Sequence, residues 1–213
     1  MKSTTRNKPL LALSIGLAIC FAIVTYFVMS MQITGFDEAV TSTVWSFRSE
    51  GVTPLMKVLS FIGNPTTVVV IAALTAIFLF FVLKHRAEMI LFFAVMIFVP
   101  LTNTILKRIF TRARPDVDRL LEASGHSFPS GHSMIAVAFF GVITFLLWRH
   151  ISSFIGRIVL IIFSTLMILG IGISRIYVGV HYPSDVLGGF LISSSILFIC
   201  IWFWRRNKHN RSY

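Results

Sequence analysis

Long apolar runs separated by short polar stretches dominate the chain. Six of them, at about 10–31, 65–83, 89–106, 132–148, 154–173 and 184–204, approach the ~20 residues that a helix needs to cross a bilayer. An open chain in lipid can satisfy its backbone only as helix. The pattern therefore predicts an all-α polytopic membrane bundle of six transmembrane helices, built as one domain over residues 1–213. The first run follows Lys2, Arg6 and Lys8 and so looks like a signal peptide. Its apolar stretch exceeds the ~7–15 residues of a signal core and no small-x-small cleavage site follows, so it reads as an uncleaved first span.

Between the first two spans the period changes. Phe36, Val40, Val44 and Phe47 form one stripe at helical spacing, and Val52, Leu55, Leu59 and Ile62 form another, with Gly51 and Pro54 between them. Spacings of three and four put each set on one helix face. Two short helices, lying in the interface or packed on the bundle, are expected here.

Composition agrees with a membrane chain. Hydrophobic residues make up 56% and charged residues 13%, with 21 Phe and a mean hydropathy of +0.85; an ordinary soluble domain carries about 25% charged residues. A soluble enzyme, a disordered chain and a disulfide scaffold are excluded. Cys20 and Cys200 lie inside apolar runs, where they read as small hydrophobes. The net charge of +11 does not indicate a nucleic-acid partner, because the cations flank apolar runs as membrane anchors do.

Those cations also orient the chain. With the N-terminus inside, the inner segments hold Lys2, Arg6, Lys8, Lys84, Arg86, Arg149, Arg157, Arg205, Arg206, Lys208 and Arg211 against Glu88 alone, net +10. The outer segments hold the other 8 cations against 7 acids, net +1. The positive-inside rule then places both termini in the cytoplasm. One outer segment, 107–131, departs from the rule by carrying Lys107, Arg108, Arg112, Arg114 and Arg119. Concentrated Lys and Arg on the cation-poor side suggest an anion, and the fork of Arg suits phosphate.

Three clusters converge there. Lys107 to Pro115 starts where the third span ends, with Lys107 expected about one turn beyond the hydrocarbon; Pro115 bars Arg114 from regular helix, so the chain turns. Ser127 to Ser133 opens the fourth span: Ser130 is a good N-cap, Gly131 permits close backbone approach, and His132 sits in a first turn whose N–H groups suit an oxyanion. Ser174 to Asp185 joins the fifth and sixth spans. Arg175 ends one, Pro183 opens the other, and Asp185 follows His181 by four residues. A carboxylate at that spacing can hold one ring nitrogen and leave the other free as a nucleophile. With six spans, all these positions face the same side. They amount to a phosphate site with a nucleophile and an acid.

Lys107-x6-Arg114-Pro115, Pro129-Ser130-Gly131-His132 and Ser174-Arg175-x5-His181-x3-Asp185 together resemble the three-part signature of the type 2 phosphatidic acid phosphatase family. Bacterial members of similar size act on phosphatidylglycerophosphate or undecaprenyl diphosphate. The resemblance implies an integral membrane lipid phosphatase working through a phosphohistidine. His181 would be the nucleophile, Asp185 its orienting partner, and His132 the general acid and then base. Lys107, Arg114, Ser130, Gly131 and Arg175 would bind the phosphoryl group. Neither a metal nor another cofactor is expected, since three cations can carry the phosphate charge. The expected partners are a phosphorylated lipid and the bilayer of the plasma (inner) membrane, with the site on the outer face. Two alternatives use the same cations: a transporter or flippase, and a non-catalytic binder of phosphorylated lipids. Against the first, the spans carry almost no charge at mid-depth, where transporters keep their sites.

Overall fold

The computed structural model describes residues 4–81 and 86–210. Eight helices follow in order: α1 (Thr4–Met29), α2 (Thr34–Trp45), α3 (Val52–Ile62), α4 (Pro65–Phe81), α5 (Arg86–Ile109), α6 (Gly131–Trp148), α7 (Phe154–Tyr177) and α8 (Pro183–Asn210). No strand occurs among the described residues. Five helices, α1 and α5 to α8, are long and apolar enough to cross a membrane. The sixth candidate is α3 with α4, bent by 59° at their junction. Seventeen residues of α4 rise about 25 Å, short of a ~30 Å hydrocarbon core. A lone helix over 65–83 is thus too short to span by itself, and the bent pair forms either one broken span or a re-entrant loop; the last two positions of 65–83 lie outside the described residues, as do Lys2, Lys84 and Arg211 among the inner cations.

α6 is the central helix. Its Met134 to Phe140 stretch is buried without interruption, and it packs on α4, α5, α7 and α8. α1 packs along α8, where Ser14 and Ser195 bond each other's backbone: Ser14 Oγ donates to the Ser195 carbonyl at 2.9 Å and Ser195 Oγ to that of Ser14 at 2.8 Å. Such reciprocal hydroxyl bonds hold helices together where lipid competes with apolar contacts. Outward faces are lined by Leu, Ile and Phe, including Ile155, Leu166, Leu74 and Phe81.

The two short helices form as expected, but their buried faces differ from the stripes. Val40, Val44, Leu59 and Ile62 are half-buried, whereas Phe36, Phe47 and Leu55 are exposed. The most buried residue of α2 is Asp37 and that of α3 is Ser60. Five of the eight stripe residues, Val52 included, do turn inward, with Val44 and Val52 packed on Tyr177, Val178 and Val180, and each helix is in addition held by a polar contact to an arginine. Helix α7 also runs past position 173 to Tyr177, and α5 past 106 to Ile109, so Lys107 lies in the last turn of α5.

Candidate active site

α5 and α7 finish, and α6 and α8 begin, at one end of the bundle. Between α5 and α6 the chain runs as an irregular loop. Ser127 N–H donates to the Arg112 carbonyl at 2.8 Å, and Leu120 N–H to that of Val178 at 3.0 Å. Arg114 braces the same loop: Nε donates to the Gly125 carbonyl at 3.0 Å, Nη2 to Ser124 at 2.9 Å and Nη1 to Val180 at 2.8 Å. The link from α7 to α8 turns at Gly179, whose φ of +80° suits glycine.

That link carries His181, which is 2% exposed. Its Nδ1 lies 3.3 Å from Asp185 Oδ2 and 3.2 Å from Ser127 Oγ, and Ser127 itself donates to Asp185 Oδ2. Its Nε2 lies 3.3 Å from Arg114 Nη1. Burial pushes the imidazole pKa down to about 4; the Asp185 carboxylate opposes this, and Arg114 and Arg175 add to it. The ring is therefore neutral at neutral pH. With Nδ1 turned to the carboxylate, Nε2 is the nitrogen left to react.

Helix starts and cations surround it. Ser130 caps α6, accepting from Ser133 N–H at 3.4 Å and from Ser133 Oγ at 3.0 Å. Gly131 and His132 follow, where the N–H groups of a first turn have no intrahelical carbonyl to reach. A Cβ on Gly131 would meet Asn103 Oδ1 at 3.0 Å, and one on Gly189 of α8 would meet the Ser130 carbonyl at 2.8 Å. The starts of α6 and α8 are thus packed backbone to backbone, and Ser130 N–H donates to the Asp185 carbonyl at 3.0 Å. Arg175 is 5% exposed. Its Nη1 donates to Ser60 Oγ of α3, while its buried Nε has no hydrogen-bond partner. Lys107 is half-buried and makes no hydrogen bond or ion pair among the described residues. Lys107, Arg114 and Arg175 are close enough to feel one another's charge, and His132 lies in the field of all three and of His181.

All eight residues singled out in the sequence therefore gather at one end, although Arg114 spends most of its donors on its own loop. Four more belong with them. Arg112 Nη1 donates to Asp185 Oδ1 at 2.7 Å and to Ser184 Oγ at 2.8 Å, and its Nη2 to Asp37 Oδ2 at 2.8 Å. Asp37, 3% exposed, also accepts from Ser184 N–H at 2.8 Å and Ser184 Oγ at 2.7 Å. Ser127 and Ser60 complete the set. The available signal was a polar residue inside an apolar stripe, Asp37 beside Phe36 and Ser60 beside Leu59.

A buried neutral histidine, held by a carboxylate beside two helix starts and near partly unpartnered cations from two helix ends, defines a membrane protein equipped to bind an oxyanion and attack it. Residues 87–209 match the family model of the PAP2 superfamily. Phosphatidylglycerophosphatase B of Bacillus subtilis is 30% identical over 201 residues, which span 92% of this chain and 97% of that protein. The crystal structure of a transmembrane PAP2 type phosphatidylglycerolphosphate phosphatase from Bacillus subtilis superposes with a TM-score of 0.79 at 28% identity, covering 89% of this chain and 94% of that one. A lipid A 1-phosphatase of Rhizobium etli is 36% identical over 107 residues, 46% of this chain and 42% of that protein. The chain belongs to the PAP2 superfamily, and it is a multi-pass membrane phosphatase of that family.

Proposed function

We propose that the chain removes the terminal phosphate of a membrane lipid through a phosphohistidine on His181. The observation that carries this reading is the pairing of two groups. His181 is held at Nδ1 with Nε2 turned to the Arg114 guanidinium, and Arg175 keeps a buried Nε without a protein partner. A buried unpaired donor on a cation is costly unless a ligand meets it, and a phosphoryl oxygen would.

In this reading Nε2 attacks phosphorus and the ester or anhydride bond to the leaving group breaks. Lys107, Arg114 and Arg175, with the N–H groups at Gly131 behind the Ser130 cap, hold the phosphoryl oxygens as charge builds. Asp185 stabilises the positive charge that His181 gains. His132 gives a proton to the leaving oxygen, then takes one from the water that releases phosphate. These residues act without a metal or other cofactor, and the chain works as one domain over residues 1–213. The active site faces outward from the plasma (inner) membrane, with both termini in the cytoplasm, as the charge split favours.

Room for a lipid lies next to the site. A cavity of about 660 Å³ reaches His181 and Tyr182 and is walled by Val28 of α1, Met31 just after it, Trp45 of α2 and Ile109 of α5. The lipid is phosphatidylglycerophosphate in preference to phosphatidate or undecaprenyl diphosphate, because the relative matched along nearly its whole length carries that name. The test is turnover of the three lipids side by side by the purified protein, with and without EDTA. Fastest phosphate release from phosphatidylglycerophosphate, undiminished by chelation, is expected. Binding without release of phosphate would favour a carrier, and loss with EDTA restored by one divalent ion would overturn the metal-free reaction.

A further inference from the structure

The nucleophile's carboxylate partner has a second side, and it leads to α2. Asp185 Oδ2 faces His181, Ser127 and the Tyr182 N–H, while Asp185 Oδ1 is held by Arg112 at 2.7 Å. Arg112 stands between two buried carboxylates, with Asp37 of α2 at 2.8 Å on its other nitrogen. Its guanidinium also lies 4.1 Å from the Tyr182 ring centroid. Asp37 touches Ser184 at both its N–H and its hydroxyl, which ties α2 to the first turn of α8. Among the described residues no hydrogen bond or ion pair joins Asp37, Arg112 or Ser184 to Lys107, Arg114 or Arg175, and their bonded link to the nucleophile runs through Asp185.

We infer that Asp37 is a positioning residue: by neutralising Arg112 it leaves the charge of Asp185 available to His181. The inference rests on His181 being the nucleophile. Arg112 alone would draw the carboxylate's charge to Oδ1. With Asp37 opposite, that pull is shared, and Oδ2 keeps its hold on the imidazole as the ring turns positive on phosphorylation. In a buried setting such charges are weakly screened. The charged groups facing His181 are Asp185 of α8, Arg114 of the loop, Arg175 of α7 and His132 of α6, with Lys107 of α5 facing Asp185 and the two arginines. Asp37 and Glu38 of α2 line the cavity that reaches the ring.

The test reads the His181 imidazole directly, by nitrogen NMR titration of the full chain in detergent, together with the rate of phosphoenzyme formation. Asp37→Asn keeps the side chain's shape and its bond from Ser184 N–H. It should lower the imidazole pKa and slow phosphoenzyme formation at saturating substrate roughly tenfold, mid-range for groups coupled in one ion-pair network. Arg112→Gln should move the imidazole pKa the other way, upward. Ser184→Ala removes the hydroxyl that ties α8 to Asp37 but no charge, and should leave the titration in place. A purely structural role for Asp37 predicts shifts of one sign in all three variants, or none, and either result overturns the inference. The opposite sign for Arg112→Gln carries the test on its own if Asp37→Asn fails to fold. Wild-type protein that forms no acid-labile phosphoenzyme would sink the nucleophile reading instead, while the signed imidazole shifts still judge Asp37.

Discussion

The two ends of the bundle carry similar numbers of cations and treat them differently. At the end where α5 and α7 begin, Glu88 is buried and meets Arg149 at 3.2 Å and His150 at 3.1 Å. Arg149 also lies 5.0 Å from the Trp204 ring, Arg157 5.0 Å from Trp148, Arg205 5.3 Å from Phe145 and Arg206 5.3 Å from Trp202. Each of these charges has an acid or an aromatic face, as an anchor at a membrane surface should. At the opposite end Arg175 keeps a buried nitrogen unpaired and Lys107 makes no bond among the described residues. Positive charge with a partner fixes structure, and in the proposed reading positive charge kept without one waits for the phosphoryl group. Arg112 marks the boundary between the two uses, since it sits among the open cations yet is paired on both sides.

That contrast can be broken in graded steps. The largest effect is expected from His181→Ala, which should abolish lipid phosphate hydrolysis while the protein remains folded by circular dichroism; residual turnover at a tenth of wild type would remove His181 from the chemistry. Next is Arg175→Gln. Losing one preorganised donor to a transition-state oxyanion costs about 10²–10³ in kcat, while stability should fall only by the single Nη1–Ser60 hydrogen bond, about 1 kcal/mol. A variant that is mainly unstable would make Arg175 an anchor like Arg149. Glu88→Gln should show the reverse pattern. Its loss leaves Arg149 and His150 without their acid, at a cost of about 1–3 kcal/mol of stability, read as a lower melting temperature, with turnover per folded molecule unchanged.

The last step concerns pH. His181 titrates at about 4 in the folded chain, below the ~6.5 of an unfolded histidine. The unfolded state therefore binds the extra proton first, and stability rises with pH across that interval. This contribution is complete above about 6.5 and is lost as pH falls through about 4. His181→Ala should flatten that part of the stability profile; an unchanged slope would place the acid sensitivity elsewhere.

Much of this was legible in the sequence, because the physics involved is local. Six spans follow from run length, the Ser130 cap from its place before an apolar run, and the His181–Asp185 pairing from a four-residue separation. Two kinds of feature were not legible. The break before α4 depends on how much membrane a seventeen-residue helix leaves uncrossed, which apolarity alone does not reveal. The partners Asp37 and Ser60 reach Arg112 and Arg175 across 75 and 115 positions, and no periodicity encodes a contact at that distance. Their only trace was a polar residue inside an apolar stripe.

The central claim is that the open cations and His181 together form a covalent phosphoryl site. Alkaline detergent-quench trapping of labelled phosphate from an aryl phosphate, whose phenolate leaves without needing a proton, tests it most directly in His132→Ala, where loss of the base that activates water should let the phosphoenzyme accumulate. The account predicts acid-labile, base-stable label on His181 in that variant and none in His132→Ala/His181→Ala. Label that survives removal of His181, or turnover of lipid by wild type with no trapped intermediate under rapid quench, would contradict it.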